Sequence, residues 1–274
     1  MTIEPTPDQG ATPWDAADYA RHSSLQEAMA AEVLALLPLA GNESVLDVGC
    51  GDGRLTARIA ERLRQGHIVG VDASPDMVAF ATRTFVNSAT GAQTNLAFRV
   101  ADARSLGYVD AFDLIVSFNA LHWVPEQDRA LAGITAALHA AGRAILRLVV
   151  KGEHTSLEMV AEDVRQEAQW RSYFEGFVDP YLRLTASEYA ELATRHGLQV
   201  QNQQTRYLSW DFGSDAAFFG FCRAGFGAWT RRLPTSLGDE FVRAVIGAYR
   251  IALGLTQAQA NVFRFYQMDI ALRR

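Results

Sequence analysis

The chain has 274 residues, 49% of them hydrophobic and 20% charged, with a formal net charge of −6. This is the composition of a globular protein. The acidic balance argues against a nucleic-acid substrate, no apolar run reaches the length needed to span a bilayer, and the two cysteines, Cys50 and Cys222, do not suggest a disulfide framework. No Cys/His cluster has zinc spacing, so no metal is expected.

Residues 1–13 are polar, contain Pro and Gly, and lack the basic start and apolar stretch of a signal peptide. A loosely docked tail on a cytoplasmic protein is the expectation. Residues 14–37 read as a leading helical region, with Leu25, Met29, Val33 and Leu36 at helical spacing and Pro38 as the stop. The run Val45-Leu46-Asp47-Val48-Gly49-Cys50-Gly51-Asp52-Gly53 then reads as a buried strand ending in a glycine-rich turn. Residues 54–63 follow as a helix with Leu55, Ile59 and Leu63 on one face. A ligand at such a turn meets free backbone N–H groups.

Residues 67–72 form a second apolar strand ending in Asp72, 25 positions after Asp47, about one βαβ unit later. Ser74 and Pro75 read as N-cap and N1 of the next helix. Residues 95–100 read as strand three, followed by Ala101-Asp102-Ala103. Residues 112–119 read as strand four, which delivers Asn119 to the carboxyl edge of the sheet, where open α/β sheets bind ligands. A fifth strand is expected at 143–150, after the turn Ala141-Gly142. This alternation predicts a parallel sheet covered on both faces. Residues 153–178 read as helical and unusually aromatic, with Trp170, Tyr173, Phe174 and Phe177. Thr185-Ala186-Ser187-Glu188 has the form of a capping box opening a helix that ends at Gly197. Strand character at 198–210, a helical stretch at 214–255 carrying Phe218, Phe219, Phe221, Phe226 and Trp229, and a last strand at 262–272 complete the chain. Most of these aromatics read simply as packing.

The glycine spacing is informative. The dinucleotide fingerprint is G-x-G-x-x-G, whereas this turn is G-x-G-x-G with an acid, Asp47, two residues before the first glycine. An acid there suits a cationic group, such as the ammonium of S-adenosylmethionine, and not a pyrophosphate. A carboxylate at Asp72 suits the two ribose hydroxyls of an adenosine, and Asp102 suits the adenine amino group. The pattern D-x-G-x-G-x-G resembles the first motif of class I S-adenosylmethionine-dependent methyltransferases. The resemblance implies a Rossmann-like α/β fold: a seven-stranded, mostly parallel sheet with an antiparallel last strand and helical cap insertions. It implies a division into an N-terminal tail and lid segment (1–37), a cofactor-binding core (38–150) and a helical substrate cap with the last two strands (151–274). It also implies cofactor contacts from Asp47, Gly49, Cys50, Gly51, Gly53, Asp72, Ala73, Met77, Asp102, Ala103 and Asn119, with Cys50 read as packing and not as a nucleophile. A nicotinamide-linked oxidoreductase is disfavoured by the spacing. A non-catalytic protein of the same fold is disfavoured because its glycines and acids are intact.

Two short segments bear on the methyl acceptor. Asp18-Tyr19-Ala20-Arg21-His22-Ser23-Ser24-Leu25-Gln26 resembles the Y-A-x-N-S-x-x-Q start of the plant SABATH carboxyl methyltransferases. Ser117-Phe118-Asn119-Ala120-Leu121-His122-Trp123 resembles their S-x-x-x-L-H-W segment, and the juvenile hormone acid and trans-aconitate methyltransferases look similar there. The resemblance assigns Gln26 and Trp123 to the acceptor carboxylate and Tyr19 and Ser23 to the cofactor side. His22 departs from the usual Asn. A carboxylate is ionised at neutral pH and needs no base, only orientation by donors such as the Gln amide and the single Trp indole N–H. Gln26 also reads as a solvated helix residue and Trp123 as a core anchor. His122 reads alternatively as a general base for a hydroxyl, amine or carbon nucleophile. The expected partner is a small molecule, with no nucleic acid and no membrane. Oligomeric state stays open.

Overall fold

A computed structural model describes residues 29, 32–35, 37–86, 94–182 and 184–274. Five strands run parallel: β1 (Ser44–Val48), β2 (His67–Asp72), β3 (Leu96–Val100), β4 (Phe112–Phe118) and β5 (Leu138–Val150). The sheet is completed by β6 (Gln199–Asp211) and β7 (Val262–Arg273), in the order β3-β2-β1-β4-β5-β7-β6. β7 is antiparallel to both of its neighbours, β5 and β6. Strand order reverses between β1 and β4, and the crevice at the carboxyl ends of those strands is where such sheets bind ligands.

Side-chain alternation explains why the parallel strands are apolar throughout. Leu46 and Ile115 face one side, where they pack with α3 (Gln127–Ala137) and α5 (Ala186–Arg195). Val45 and Leu114 face the other side, against α1 (Arg54–Ala60) and Val33 and Leu37 of the N-terminal segment. Both faces are covered, so neither is polar. α2 (Pro75–Ala81) starts as its sequence predicts, with Ser74 Oγ accepting from Met77 N and Pro75 at N1. The Thr185–Glu188 capping box closes reciprocally at the start of α5, and Gly197 follows that helix with φ +82°.

The outer half of the sheet carries a separate apolar core. α4 (Leu157–Val164), α6 (Asp215–Gly225), α7 (Gly227–Thr230) and α8 (Thr235–Ala252) pack with Val149 of β5 and with Phe263 and Phe265 of β7. These helices are shorter than the periodicity predicts. Within 153–178 only α4 is α-helical, with a 3-10 turn at Arg171–Phe174. Trp170, Phe174 and Tyr181 turn into the cap core instead of extending a helix. The stretch 214–255 breaks at Phe226, between α6 and α7, and again before α8, where Pro234 occupies the N-cap. At the other boundary, β5 begins directly after α3 at Leu138, five residues earlier than the predicted 143, with a register shift against β4 between Phe112 and Leu114.

Candidate active site

The glycine turn follows directly from β1. The N–H groups of Gly49 and Cys50 both donate to the Val71 carbonyl of β2, at 2.8 and 3.0 Å. Gly49 has φ +77°, and a Cβ there would stand 2.1 Å from the Ala120 methyl, so the loop after β4 packs against bare backbone. Gly51 has φ +54° and open space where its side chain would be. It lines a cavity of about 320 Å3 that runs from this turn into the cap. The left-handed backbone at Gly51 thus leaves a surface that a ligand can approach closely.

Three carboxylates stand at the strand tips, each in a different state. Asp47 is buried and its Oδ2 accepts from Thr56 Oγ1 at 2.7 Å. Burial pushes its carboxyl from 3.8 up to about 7, against the Thr56 hydrogen bond and with help from the Asp72 charge. Asp72 accepts from Gly51 N and Ser74 N, both at 2.9 Å, and burial raises it as well. Burial also works to raise Asp102, but the hydrogen bonds and charge of Arg104 hold it below the usual carboxylate range. Arg104 grips it at 2.6 Å and also reaches Glu126 at 2.7 Å. The carboxylate expected to meet an adenine amino group is therefore already engaged by a neighbouring guanidinium.

Asn119 directly follows β4, with φ +58°. Its N–H donates to the Arg147 carbonyl at 2.7 Å and its Oδ1 accepts from Gln267 Nε2 of β7 at 2.9 Å. Next, a 3-10 turn at Leu121–Trp123 places His122 and Trp123 on the cavity wall. His122 is buried and its Nδ1 accepts from Val149 N at 3.3 Å. Burial drops its pKa to about 3. The imidazole is therefore neutral, and with Nδ1 accepting, Nε2 carries the proton. Trp123 stands edge-on to Tyr181 at 5.1 Å and to Trp229 at 6.4 Å between ring centroids.

The structure brings most predicted site residues together. Asp47, Gly49, Cys50, Gly51, Asp72, Ala73, Met77, Asp102, Ala103, Asn119, His122 and Trp123 line the one cavity. Gly53 does not line it; it is the N-cap of α1, packed toward Ala81 and Phe98. Tyr19, Ser23 and Gln26 lie outside the described residues. Sequence reasoning missed Arg54, Arg104, Glu158 and Tyr181 on the wall. Arg104 had a local signal, because it sits two residues after a strand-tip acid. Tyr181 had none. Among the described residues no group of three His, Cys, Asp or Glu side chains is placed to hold a metal.

The glycine-turn half of the cavity fits S-adenosylmethionine. A buried carboxylate whose ionisation is suppressed is complementary to an ammonium group, which would restore its charge. Asp72 keeps acceptor capacity beyond its two backbone bonds for a pair of hydroxyls.

Comparison with known proteins agrees with this geometry. The profile of a family described as "Methyltransferase domain" matches residues 39–203. The trans-aconitate 2-methyltransferase of Streptomyces avermitilis is 30% identical over 244 residues, 88% of each chain. The corresponding Escherichia coli protein is 27% identical over 230 residues, 84% of this chain and 86% of that one. Among solved structures, the YcgJ protein of Bacillus subtilis superposes with a TM-score of 0.66 at 18% identity, covering 90% of this chain and 98% of its own. The phosphoethanolamine N-methyltransferase 2 of Haemonchus contortus, solved with S-adenosyl-L-methionine, gives 0.57 at 16% identity, covering 94% of this chain and 56% of its own.

Proposed function

We propose that this chain, which belongs to the methyltransferase-domain family and takes its methyl group from S-adenosylmethionine, delivers that group to a carboxylate oxygen of a small organic acid. The observation that carries this reading is the state of His122. It is the side chain that the sequence offers as general base for a hydroxyl, amine or carbon acceptor. It is neutral, buried, and accepts a backbone N–H with the lone pair of Nδ1. A site whose histidine is so poor a base suits a nucleophile that is ionised on arrival, and a carboxylate is one. The trans-aconitate methyltransferases among its relatives support the same atom.

S-adenosylmethionine supplies an electrophilic methyl carbon on a sulfonium. The chain's own residues bind, orient and exclude water. Asp47 would hold the ammonium of the methionine end, Asp72 the ribose hydroxyls, and the Asp102–Arg104 pair the adenine. Trp123, with Gln26, would present N–H donors to the acceptor carboxylate. These are neutral donors, so they orient the oxygen without neutralising it. His122, with its proton at Nε2, acts as a donor and not as a proton acceptor. The aromatic wall beyond Trp123 keeps water from the meeting of opposite charges. Catalysis of in-line displacement is then chiefly proximity and orientation.

The test uses methyl-labelled S-adenosylmethionine with pooled small carboxylic acids, and separately with pooled phenols, amines and alcohols. The expected product is a methyl ester that releases volatile label in mild base, formed from the first pool and reduced in Trp123→Phe. Base-stable product from the second pool overturns the reading.

A further inference from the structure

Among the described residues three glycines line the cavity: Gly49, Gly51 and Gly225. The first two form the turn after β1, and their positive φ values explain why they are glycine. Gly225 is different. It is the last residue of α6, in the cap. Its φ is not positive, so the backbone there accepts any side chain. The C-cap of α6 is Phe226, so Gly225 is not the left-handed glycine that closes many helices. A Cβ at Gly225 would find no heavy atom of the described residues within 4 Å, so close packing does not demand glycine either. Glycine inside a helix is destabilising relative to alanine. What its missing side chain leaves is room inside the cavity.

That room is at the acceptor end. Phe226, the next residue, also lines the cavity. Its ring centroid is 5.3 Å from that of Trp229, which in turn is 6.4 Å from that of Trp123. The wall of this end is drawn from four elements: Val149 of β5, Leu157 of α4, Phe221 of α6, and Phe263 and Phe265 of β7. The rings of Phe221, Phe263 and Phe265 form a continuous row, with successive centroids 5.1 and 4.8 Å apart. Such a wall favours burial of an apolar body. Charges of both signs reach Cys222 at this end, from Glu158 and from Arg250, with opposite effects on its thiol. Bulk and shape, not charge, distinguish this end.

We propose that Gly225 is the specificity-determining position of the acceptor end: the acceptor is a carboxylic acid with a bulky apolar body, and the far end of that body occupies the space left by the missing Gly225 side chain. This rests on the carboxylate reading above and narrows it. In an apolar pocket, one methylene of fit changes kcat/KM by about 10- to 200-fold. A leucine side chain in that space is therefore enough to exclude a phenyl ring while admitting a short chain.

The experiment compares three probes in the full chain with labelled S-adenosylmethionine: phenylpropanoic acid, butanoic acid and trans-aconitate. Each product is scored as base-labile ester. In the unmodified chain phenylpropanoic acid is expected to exceed butanoic acid by at least about tenfold in kcat/KM. Gly225→Ala is expected to narrow that ratio and Gly225→Leu to reverse it, with the affinity for S-adenosylhomocysteine unchanged in both. The melting temperature of Gly225→Ala should stay the same or rise, because alanine is the better helix former. Should Gly225→Leu fail to bind S-adenosylhomocysteine, the ratio in Gly225→Ala decides. Ester formed best from butanoic acid or trans-aconitate by the unmodified chain, or a ratio that the variants do not move, overturns the role of Gly225 and leaves the carboxylate reading standing. No base-labile ester from any of the three acids overturns both.

Discussion

Asp47→Asn tests how the glycine turn couples protonation to cofactor binding. In the ligand-free protein the Asp47 carboxyl is held up at about 7 by burial. Only its ionised form pairs with an ammonium, so the apparent dissociation constant scales inversely with the ionised fraction. With half the carboxyl ionised at pH 7, binding of S-adenosylmethionine weakens about fivefold at pH 6 and about fiftyfold at pH 5. The ammonium stays protonated throughout that window, so the slope belongs to the protein. The sign for stability is opposite. A folded-state carboxyl raised above its unfolded value binds its proton more tightly in the native state. The ligand-free protein therefore loses stability as pH rises from 3.8 toward 7. Asn can accept from Thr56 without carrying charge. The variant should gain about 2–4 kcal/mol at pH 8 as ligand-free protein, while binding the cofactor weakly and without pH dependence between 5 and 7. Isothermal titration of S-adenosylhomocysteine across that range measures the first quantity, and urea unfolding at pH 8 the second. A flat binding profile in the unmodified protein, or an Asn variant that is less stable, would refute the reasoning.

Gly51→Ala places a methyl on a left-handed backbone, a strain of about 1–2 kcal/mol, and in the open space before the cofactor site. Cofactor affinity should fall by more than about tenfold while the melting temperature drops by only a few degrees, and unchanged affinity on titration would count against the cradle. At saturating cofactor and acceptor, kcat should show no inflection between pH 5.5 and 8, because His122 stays neutral down to about 3; a bell centred near neutrality would restore it as a base. The same depressed histidine draws stability away as pH falls from 6.5 toward 3, opposing Asp47, so Asp47→Asn should unfold at higher pH on acid titration than its rising stability at pH 8 alone suggests. Arg147 is 1% exposed and bridges Asp269 at 2.5 Å and Glu32 at 2.8 Å; Arg147→Ala leaves Asp269 to Arg206 alone and should cost about 3 kcal/mol in urea unfolding, and a loss below 1 kcal/mol would show that the cluster is solvated.

The parallel half of the fold was legible because each strand is a short apolar run closed by a special residue. Asp47, Asp72, Asp102 and Asn119 mark strand ends, and strand ends of one parallel sheet converge. The antiparallel last strand came from resemblance, and the place of β7 between β5 and β6 was not read at all, since no local pattern specifies which edge a late strand joins. The cap was legible in content and not in segmentation. Its aromatics at 170, 174, 218, 226 and 229 reach a shared core from several short helices and a turn, so no single helical period describes them. What stayed hidden depends on tertiary burial. Nothing local distinguishes Glu158 from any first-turn glutamate, or His122 from a titrating histidine, until the cap closes over both.

The link between the turn after β4 and β7 has a consequence for biosynthesis. Asn119 is fixed by Gln267, and the Arg147 cluster that holds Glu32 is completed by Asp269. The parallel strands can pair as they leave the ribosome, yet both clamps wait for residues 262–273, more than a hundred positions after the glycine turn. A nascent chain halted before β7 would carry every recognisable cofactor motif and still lack the residues that set Asn119 in place. Methylation competence would then arise late in synthesis, only once β7 has joined the sheet.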